Sequence, residues 1–406
     1  MNENRYRWVI ETLLFLIYFA FGISWMACSP LLGRLEEHFD MSHSQGGLLI
    51  SVVSMAKAVV PLFAGLLAAR IGIKGAVLLG AALSSVSVLG PWLADYSSVL
   101  GLRFLFGVGG AIVVTLMGAA VMDWFPKREL PLVNGLNNVA VNAGITAALF
   151  LTVPLAERLG WQQTMTLFGL ISVLLAVAWA MLGRTRSEKR SQTGRPQAKP
   201  SFSEVLSRRE TWWIAVAFTG PLALYLALNT WLPTHYQEAF GLSASDASRL
   251  TGLFNLVGIP TAIAGGFLTA RLGLRRPQII VSGLAMPLAA TGMFLSPVPG
   301  LRVLSAVFLG ISFFLYVAPL FTIPMELEGM SPQHVAMMTG VIFSLAYLVS
   351  FASPAVVGWC RDATGSFVPG LALFAGLSSV LALAGAVLPE TGPAARPVVL
   401  GAESAA

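Results

Sequence analysis

The sequence is poor in charge. Only 11% of its 406 residues are Asp, Glu, Lys or Arg, and 56% are hydrophobic, whereas a soluble globular domain carries about 25% charged residues. So few charges cannot cover the surface of a water-soluble globule, which excludes a soluble enzyme or binding domain. Apolar runs of roughly 20 residues, long enough to cross a hydrocarbon core about 30 Å thick, recur along the whole chain. The composition therefore predicts an all-α integral membrane protein.

Cysteine and histidine are scarce, and the usual signals of bound metals and nucleotides are missing. The two cysteines, Cys28 and Cys360, lie far apart in or beside apolar segments, so we interpret both as packing residues. The four histidines fall in loops and form no metal-ligand cluster. No Gly-x-x-x-x-Gly-Lys-Ser/Thr loop is present. The sequence predicts no metal and no cofactor, and we attribute its net charge of +6 to membrane topology rather than to nucleic acid.

Twelve apolar segments are long enough to cross a bilayer as helices. Turn and capping residues separate them, such as Ser42 before the second segment and Pro126 after the fourth. The predicted spans are residues 9–32, 44–69, 74–94, 98–121, 131–155, 161–183, 211–233, 245–270, 277–296, 300–325, 333–357 and 367–389.

The one long polar stretch lies between the sixth and the seventh span and is rich in Arg, Lys, Ser, Gln and Pro. Such a composition is typical of a linker. We therefore predict a six-helix bundle over 1–183, a cytoplasmic linker over 184–210, a second six-helix bundle over 211–392 and a cytoplasmic tail over 393–406. Because each bundle has its partner within the chain, we expect a monomer.

The basic residues predict how the spans are oriented. With the amino terminus in the cytoplasm, 18 of the 25 Lys and Arg residues lie in cytoplasmic segments and six lie at the other face. Cytoplasmic loops of membrane proteins carry an excess of Lys and Arg. We therefore predict a multi-pass protein of the inner membrane with both termini in the cytoplasm.

The two predicted halves share short segments at a nearly constant offset. Residues 65–74, Gly-Leu-Leu-Ala-Ala-Arg-Ile-Gly-Ile-Lys, recur at 266–275 as Gly-Phe-Leu-Thr-Ala-Arg-Leu-Gly-Leu-Arg, and Gly-Leu-Arg at 101–103 recurs at 300–302. A duplication suits a transporter, since two similar halves that rock about a central site expose that site to each side in turn.

These motifs resemble those of the major facilitator superfamily over essentially the whole chain. Residues 65–74 are similar to the family's Gly-x-x-x-Asp-Arg-x-Gly-Arg-Lys loop, and 103–110 to its Arg-x-x-x-Gly-x-Gly-Gly pattern in the fourth helix. Ala69 and Ala270 replace the acidic residue of the loop motif. The resemblance implies twelve helices in two pseudo-symmetric halves, with helices one, four, seven and ten around a cavity. It also implies gating or coupling roles for Gly65, Arg70, Gly72, Lys74, Arg103, Asp123, Gly266, Arg271 and Gly273.

Simpler roles stay open for the charged members of this set. Arg70 can pair with Asp123 in an outward-open state, or Arg70 and Lys74 can serve only as topological anchors. Arg103 can take part in binding or coupling, or it can serve helix packing.

Lys57 is the residue that the sequence singles out for binding. It lies about thirteen residues into its predicted span, roughly 20 Å along the helix and near the middle of the bilayer. A cation there costs at least about 2.5 kcal/mol unless it faces a wet cavity or a counter-ion, and the predicted spans hold no acidic residue at that depth. We expect an anionic substrate to neutralise Lys57. The alternative is a structural lysine that bonds helix-end carbonyls or extends its amine to the interface.

Other polar and aromatic residues complete the predicted site. Amides inside apolar runs need partners, either in the cavity or on a neighbouring helix. Aromatic residues either line the cavity or pack against lipid and protein. The candidates for substrate contact are Tyr18, Trp25, Asn138, Asn142, Tyr225, Asn229, Asn255, Tyr316 and Tyr347, and Asn137 is a further amide of this kind.

The sequence thus predicts a secondary transporter of a small organic anion such as a carboxylate, acting by alternating access as a proton symporter or an exchanger. Residues 319–332 and 357–367 loosely resemble bacterial cyanate- and nitrate-type permeases, but the Gly-Trp-Gly-Asn signature of nitrate carriers is missing. A proton carrier needs a titrating group in the cavity, and Lys57 is the one available. An exporter of drug-like or amphipathic compounds and a receptor or sensor on a transporter fold are the alternatives. An enzyme is not expected, because no nucleophile or metal constellation is present.

Overall fold

The computed structural model describes residues 3–126, 129–184, 202–330 and 332–395. Twelve spans cross the molecule in two six-helix halves, as the sequence predicted. Their helices are Glu3–Met26 with Leu32–Phe39 (span 1), His43–Val59 and the first part of Pro61–Ser85 (span 2), the rest of Pro61–Ser85 with the 3-10 helix Val86–Trp92 (span 3), Tyr96–Met122 (span 4), Leu130–Leu159 (span 5), Trp161–Leu182 (span 6), Arg209–Phe240 (span 7), Ala244–Leu272 (span 8), Arg276–Leu295 (span 9), Pro299–Leu315 with Val317–Glu326 (span 10), Pro332–Ser350 with Ala352–Thr364 (span 11) and Val368–Ser378 with Val380–Val387 (span 12).

Span 2 is interrupted beside Lys57. Among the described residues, eleven helices are long and apolar enough to cross a membrane by themselves, and span 2 is absent from that set because it is divided near Val60. Pro61 has no N–H to donate to the carbonyl of Lys57 four residues earlier, so the helix breaks there. The chain turns from span 2 into span 3 at Gly72, which has φ 73° and ψ 162°. Gly273 occupies the same place in the second half with φ 64°, and glycine suits both because positive φ strains other residues.

The outer surface of the bundle is apolar. Met181 and Phe267 are 75% exposed and Leu288 is 76% exposed. Side chains of this size are unfavourable in water, and a lipid environment removes that cost. The structure therefore agrees with the composition in indicating a membrane protein.

We call the end of the bundle that holds Arg184 and Arg208 the linker end, and the other the opposite end. Near the linker end of the first half, Arg7 forms an ion pair with Glu129 at 3.0 Å. In the second half Glu326 receives two hydrogen bonds from the Arg275 guanidinium, at 2.6 and 3.0 Å. This ion pair raises the pKa of Arg275 and joins spans 8 and 9 to span 10.

At the opposite end the two halves are in direct contact. Asp362 of span 11 accepts hydrogen bonds from the backbone N–H groups of His43 and Ser44 at 3.2 and 3.0 Å, so one half caps a helix of the other. The Ser248 hydroxyl of span 8 donates to the Leu149 carbonyl of span 5. These contacts close the opposite end of the bundle.

Candidate functional site

Lys57 lies at the junction of the two halves and is only 3% exposed. Its ammonium nitrogen is 4.0 Å from the centre of the Trp25 ring and 5.0 Å from that of Phe21, both on span 1. The ring of Tyr347, on span 11 of the other half, has its centre 5.4 Å from the same nitrogen. The Tyr18 hydroxyl lies 3.4 Å from that nitrogen. Within the described part of the chain, no carboxylate forms an ion pair with Lys57. We call these four rings the aromatic cage.

The cage is built from one face of span 1. Residues 18, 21 and 25 are three and four positions apart, so their side chains lie on the same side of the helix. The Phe21 ring stacks on Phe106 with centroids 4.6 Å apart, and a side chain at Gly110 would collide with the Phe21 ring. The glycines of the span 4 motif therefore make room for the cage, as small residues do where membrane helices pack closely.

A hydrogen-bonded amide network lies at the same junction. The Tyr225 hydroxyl is 2.7 Å from Oδ1 of Asn255 and 3.0 Å from Oδ1 of Asn142. The Asn255 amide donates to Oδ1 of Asn229 at 2.8 Å, and the Asn229 amide donates to the Tyr225 carbonyl at 2.9 Å. Because a hydroxyl has one proton, Tyr225 donates to one of its two amide neighbours at a time. The network joins span 5 of the first half to spans 7 and 8 of the second.

Tyr347 connects the cage to this network. Its helix, Pro332–Ser350, packs against both span 2, which carries Lys57, and span 7, which carries Tyr225. Tyr316 is fully buried, and its hydroxyl has no hydrogen-bond partner among the described residues. An unpartnered buried hydroxyl is costly, so Tyr316 presents a group that a bound solute can satisfy.

The structure thus brings most of the predicted contact residues together. They fall into the aromatic cage with Lys57, the amide network, and Tyr316 at the join between the two helices of span 10. Asn138 is the exception, since its side chain lies outside the described residues. Asn137 points elsewhere, toward Glu11.

Glu11 is a buried carboxyl that lies only two residues into the predicted span 9–32. The helix begins at Glu3 rather than near residue 9, so Glu11 lies eight residues, or about 12 Å, inside it. It is 3% exposed. The Asn137 amide approaches its Oε2 at 3.4 Å, whereas Glu11 Oε1 and Asn137 Oδ1 have no partner among the described residues. The helix extends through residues 3–8, which are mostly polar, so hydropathy alone could not show how far inside it Glu11 lies.

Arg103 is held by backbone carbonyls. Its guanidinium donates to Leu49 at 3.0 Å, to Ser24 at 2.8 Å and to Trp25 at 2.7 Å. These bonds tie span 4 to spans 1 and 2 next to the cage. The geometry favours helix packing over direct substrate contact, although a role in coupling stays a prediction.

The loop motif residues lie away from the cage. Arg70 and Arg271 are exposed, and Arg70 makes no ion pair with Asp123 in the arrangement that the structure describes, so that pairing stays a prediction for another conformation. The Lys74 carbonyl accepts a hydrogen bond from the Trp179 indole at 3.2 Å. Gly65 and Gly266 have open space around them.

His43 makes the contact at the opposite end sensitive to pH. Its Nδ1 lies 3.0 Å from Glu36, and this hydrogen bond, with charges on Glu36, Asp362 and Glu238, raises the pKa of His43. Because the folded protein binds this proton more tightly than the unfolded chain does, the interaction stabilises the fold fully below about pH 6.5, the unfolded pKa. That stabilisation is lost as the pH rises through the higher pKa of the folded state. The pair is partly exposed and is worth at most about 1 kcal/mol.

We therefore expect thermal stability to fall slightly as the pH rises from the acidic to the alkaline side of the His43 pKa. His43→Gln should remove that slope. Melting temperatures of the parent and the variant across this range test the prediction, and equal slopes in the two proteins would contradict it.

Comparisons with known proteins agree with this architecture. A sequence model of the Major Facilitator Superfamily matches residues 14–354. The chain is 24% identical to the nitrite extrusion protein of Bacillus subtilis, over 90% of this chain and 89% of that protein. It is also 24% identical to the hexuronate transporter of Bacillus subtilis, over 85% of this chain and 87% of that protein.

Solved structures share the fold as well. A bacterial homologue of the human lysosomal transporter Spinster, in an inward-facing and unoccupied conformation, matches with a TM-score of 0.76 at 16% identity, over 94% of this chain and 96% of that chain. At that identity the match concerns the fold alone.

Proposed function

Because the chain belongs to the Major Facilitator Superfamily, as its motifs predicted, we propose that it carries a small organic anion by alternating access, with Lys57 as the charge anchor. It is a transporter of small solutes rather than an enzyme. The proposal for the anion rests on one observation: a buried ammonium group at the junction of the halves has three N–H donors and one hydrogen bond, of 3.4 Å, to Tyr18.

The aromatic cage alone does not satisfy this ammonium group. A lysine at mid-membrane costs at least about 2.5 kcal/mol, and a cation–π contact returns about 0.5–2 kcal/mol. The rings can therefore offset part of the cost of the charge, but apart from the Tyr18 hydroxyl they offer its N–H donors no acceptor. A carboxylate supplies those acceptors and a charge-assisted hydrogen bond of roughly 1.5–3 kcal/mol.

The groups beside Lys57 favour a hydroxylated carboxylate. The amide network and the unpartnered Tyr316 hydroxyl offer neutral donors and acceptors, which suit the hydroxyl groups of a sugar acid better than a bare inorganic ion. Both curated relatives carry anions by name, one of them nitrite and the other hexuronate. These names support an anionic substrate, and the amide network supports an organic rather than an inorganic one.

We further propose the predicted topology, with both termini in the cytoplasm and the halves divided at 184–210. In that orientation the closed opposite end faces outward. A solute would then leave the central site toward the cytoplasm, past the linker end.

A panel of ligands tests the substrate class. Sugar acids and small carboxylates should raise the melting temperature of the purified protein, because a ligand at 100 times its Kd stabilises by about 2.7 kcal/mol. Nitrite, organic cations and neutral sugars are the comparison set. Stabilisation by organic cations or neutral sugars but by no anion would overturn the proposal.

An exporter of amphipathic compounds is the second candidate. Phe218, Phe321 and Phe343 form an aromatic cluster with ring centroids 5.1–5.2 Å apart, and Phe343 leads to Tyr347 of the cage at 6.3 Å. Such a surface suits flat hydrophobic molecules. Stabilisation by these molecules alone would favour this candidate.

Glu11 is the proposed proton-binding group. A buried carboxyl in a membrane span is typical of proton relays, and its unpartnered Oε1 is free to hold a proton. Glu11→Gln keeps the shape and the Asn137 contact but cannot release a proton. We expect uptake driven by a proton gradient to be essentially abolished, while exchange of substrate for substrate continues.

The matched control is Glu157→Gln, which removes an exposed carboxyl at the end of span 5. Gradient-driven uptake and counterflow in liposomes are the two measurements. Full gradient-driven uptake by the Glu11 variant would remove Glu11 from the coupling mechanism without touching the anchor role of Lys57.

A further inference from the structure

The second half contains a buried cation that lacks partners. Arg302 is 5% exposed, and its Nε and Nη1 atoms have no hydrogen-bond partner among the described residues. Arg103, at the corresponding position of the first half, is likewise 5% exposed but donates to three carbonyls. The repeated Gly-Leu-Arg sequence therefore produces one satisfied guanidinium and one that is open to a ligand.

A second unpartnered donor lies in the same cluster. The Arg302 guanidinium stands 4.2 Å over the Phe240 ring, and the ring of Tyr236 is 6.1 Å from that of Phe240. Tyr236 is fully buried, and its hydroxyl has no partner in the described part of the molecule. Unpaired buried donors cost about 1–3 kcal/mol each, more when charged, so an arrangement with two of them calls for an acceptor.

The neighbouring groups do not supply that acceptor. His235 donates its Nε2–H to the Phe294 carbonyl at 2.8 Å, and its remaining acceptor, Nδ1, makes no hydrogen bond to the unpartnered atoms of Arg302 or Tyr236 in the described part of the chain. Glu238 forms an ion pair with Arg361 at 2.9 Å. The uncompensated charge of the cluster is therefore positive, and the unpartnered groups of Arg302 and Tyr236 can all donate a hydrogen bond.

We propose that Arg302 and Tyr236 bind a small inorganic anion such as chloride inside the second half. The donors match an anion in charge and in hydrogen bonding. Because the residues around them are almost completely buried, the ligand is an ion close to water in size rather than an organic solute. Arg302 and Tyr316 are fourteen residues apart on span 10, about 21 Å along the helix, so this site is separate from the central one and goes beyond the proposed function.

The ion would join spans 7 and 10 near the opposite end. Arg302 belongs to the first turn of Pro299–Leu315, and Tyr236 to the last turns of Arg209–Phe240. An ion that binds the folded protein but not the unfolded chain stabilises the folded protein. Once the site is saturated, the stabilisation grows with the logarithm of the ion concentration. The expected effect is therefore on stability, and it needs no substrate.

The test compares sodium chloride with sodium methanesulfonate, an anion that is neither a carboxylate nor hydroxylated, at equal ionic strength and with the purified full-length protein. Chloride should raise the melting temperature along a dose curve, while methanesulfonate should not. Tyr236→Phe removes one donor at almost constant shape, and it should shift the chloride midpoint upward by about tenfold, the equivalent of a hydrogen bond worth about 1.4 kcal/mol. Tyr96→Phe is the control, since that hydroxyl donates to the Gln45 carbonyl at the same end of the bundle and its loss should leave the midpoint unchanged.

Two results would overturn the proposal. One is equal melting of the parent in chloride and in methanesulfonate, and the other is the same chloride midpoint in the parent and in Tyr236→Phe. Crystals grown in sodium bromide give an independent readout, because bromide scatters anomalously. A peak beside the Arg302 guanidinium supports the site, and water alone at that position refutes it.

Discussion

Transport of the anionic substrate should be lost when Lys57 is replaced by methionine, although the protein should fold at least as well as the parent. The variant removes the ammonium group and keeps a side chain of similar length beside Trp25 and Phe21. Losing one charge-assisted hydrogen bond of about 1.5–3 kcal/mol weakens binding by roughly 10- to 150-fold. Uptake and binding of the substrate by the variant in liposomes are the measurements.

The stability of the same variant separates binding from folding. Replacing a buried charge by an apolar group of similar volume is often neutral or stabilising. We therefore expect the melting temperature of Lys57→Met without substrate to equal or exceed that of the parent, and the substrate to stabilise only the parent. A lysine that serves the structure alone would give the reverse, with lower stability and unchanged substrate affinity.

Two further variants define the role of the charge. Lys57→Arg keeps the cation in a larger head group and should retain partial uptake. Arg158→Gln removes an exposed positive charge at the end of span 5 and should transport like the parent. Equal uptake by Lys57→Met and the parent would end the assignment of Lys57 as the anchor.

Most of the fold could be predicted from the sequence because the bilayer imposes a length on each apolar run. The repeated loop at 65–74 and 266–275 added the division into two halves. The span ends were less accurate, since a helix continues into polar residues once its hydrogen bonds are formed. Span 7 was predicted to end at 233 but continues to Phe240, past the Pro233 inside the helix.

The candidate site could be predicted only in part. Lys57 was visible because a charge stands out within an apolar run. Phe21 was not identified as a member of the cage, because membrane helices are apolar on their lipid-facing and protein-facing sides alike, so hydropathy does not show which face is buried in protein. Arg103 and Arg302 share the same local sequence but differ in their partners, which depend on the packing of other spans.

The contact between the halves at the opposite end depends on a residue that no motif marked. Gly47 of span 2 lies against the backbone of span 11, and a Cβ atom there would collide with the Pro354 carbonyl oxygen and lie 2.9 Å from the Ala355 nitrogen. Backbone atoms cannot rotate aside as a flexible side chain can. The close approach of spans 2 and 11 therefore requires glycine at position 47.

Gly47→Leu should consequently hold the two halves apart at the opposite end and abolish transport, because alternating access requires that end to close. Substrate binding should persist at least in part, since no residue of the aromatic cage or the amide network is replaced. Spin labels on cysteines that replace Glu37 and Arg249, both exposed and in different halves, report the separation once Cys28 and Cys360 are changed to serine. The label distance should lengthen in the Gly47 variant.

Gly118→Leu is the matched control for this experiment. Gly118 lies on span 4, and a Cβ atom at that position would have no neighbouring atom within 4 Å, so the larger side chain meets no obstacle and the label distance should stay that of the parent. A Gly47 variant with the parent's label distance and normal transport would mean that spans 2 and 11 separate without cost. In that case the closure of the opposite end would have to rest on other contacts between the halves, such as the Asp362 cap and the contact of Ser248 with Leu149.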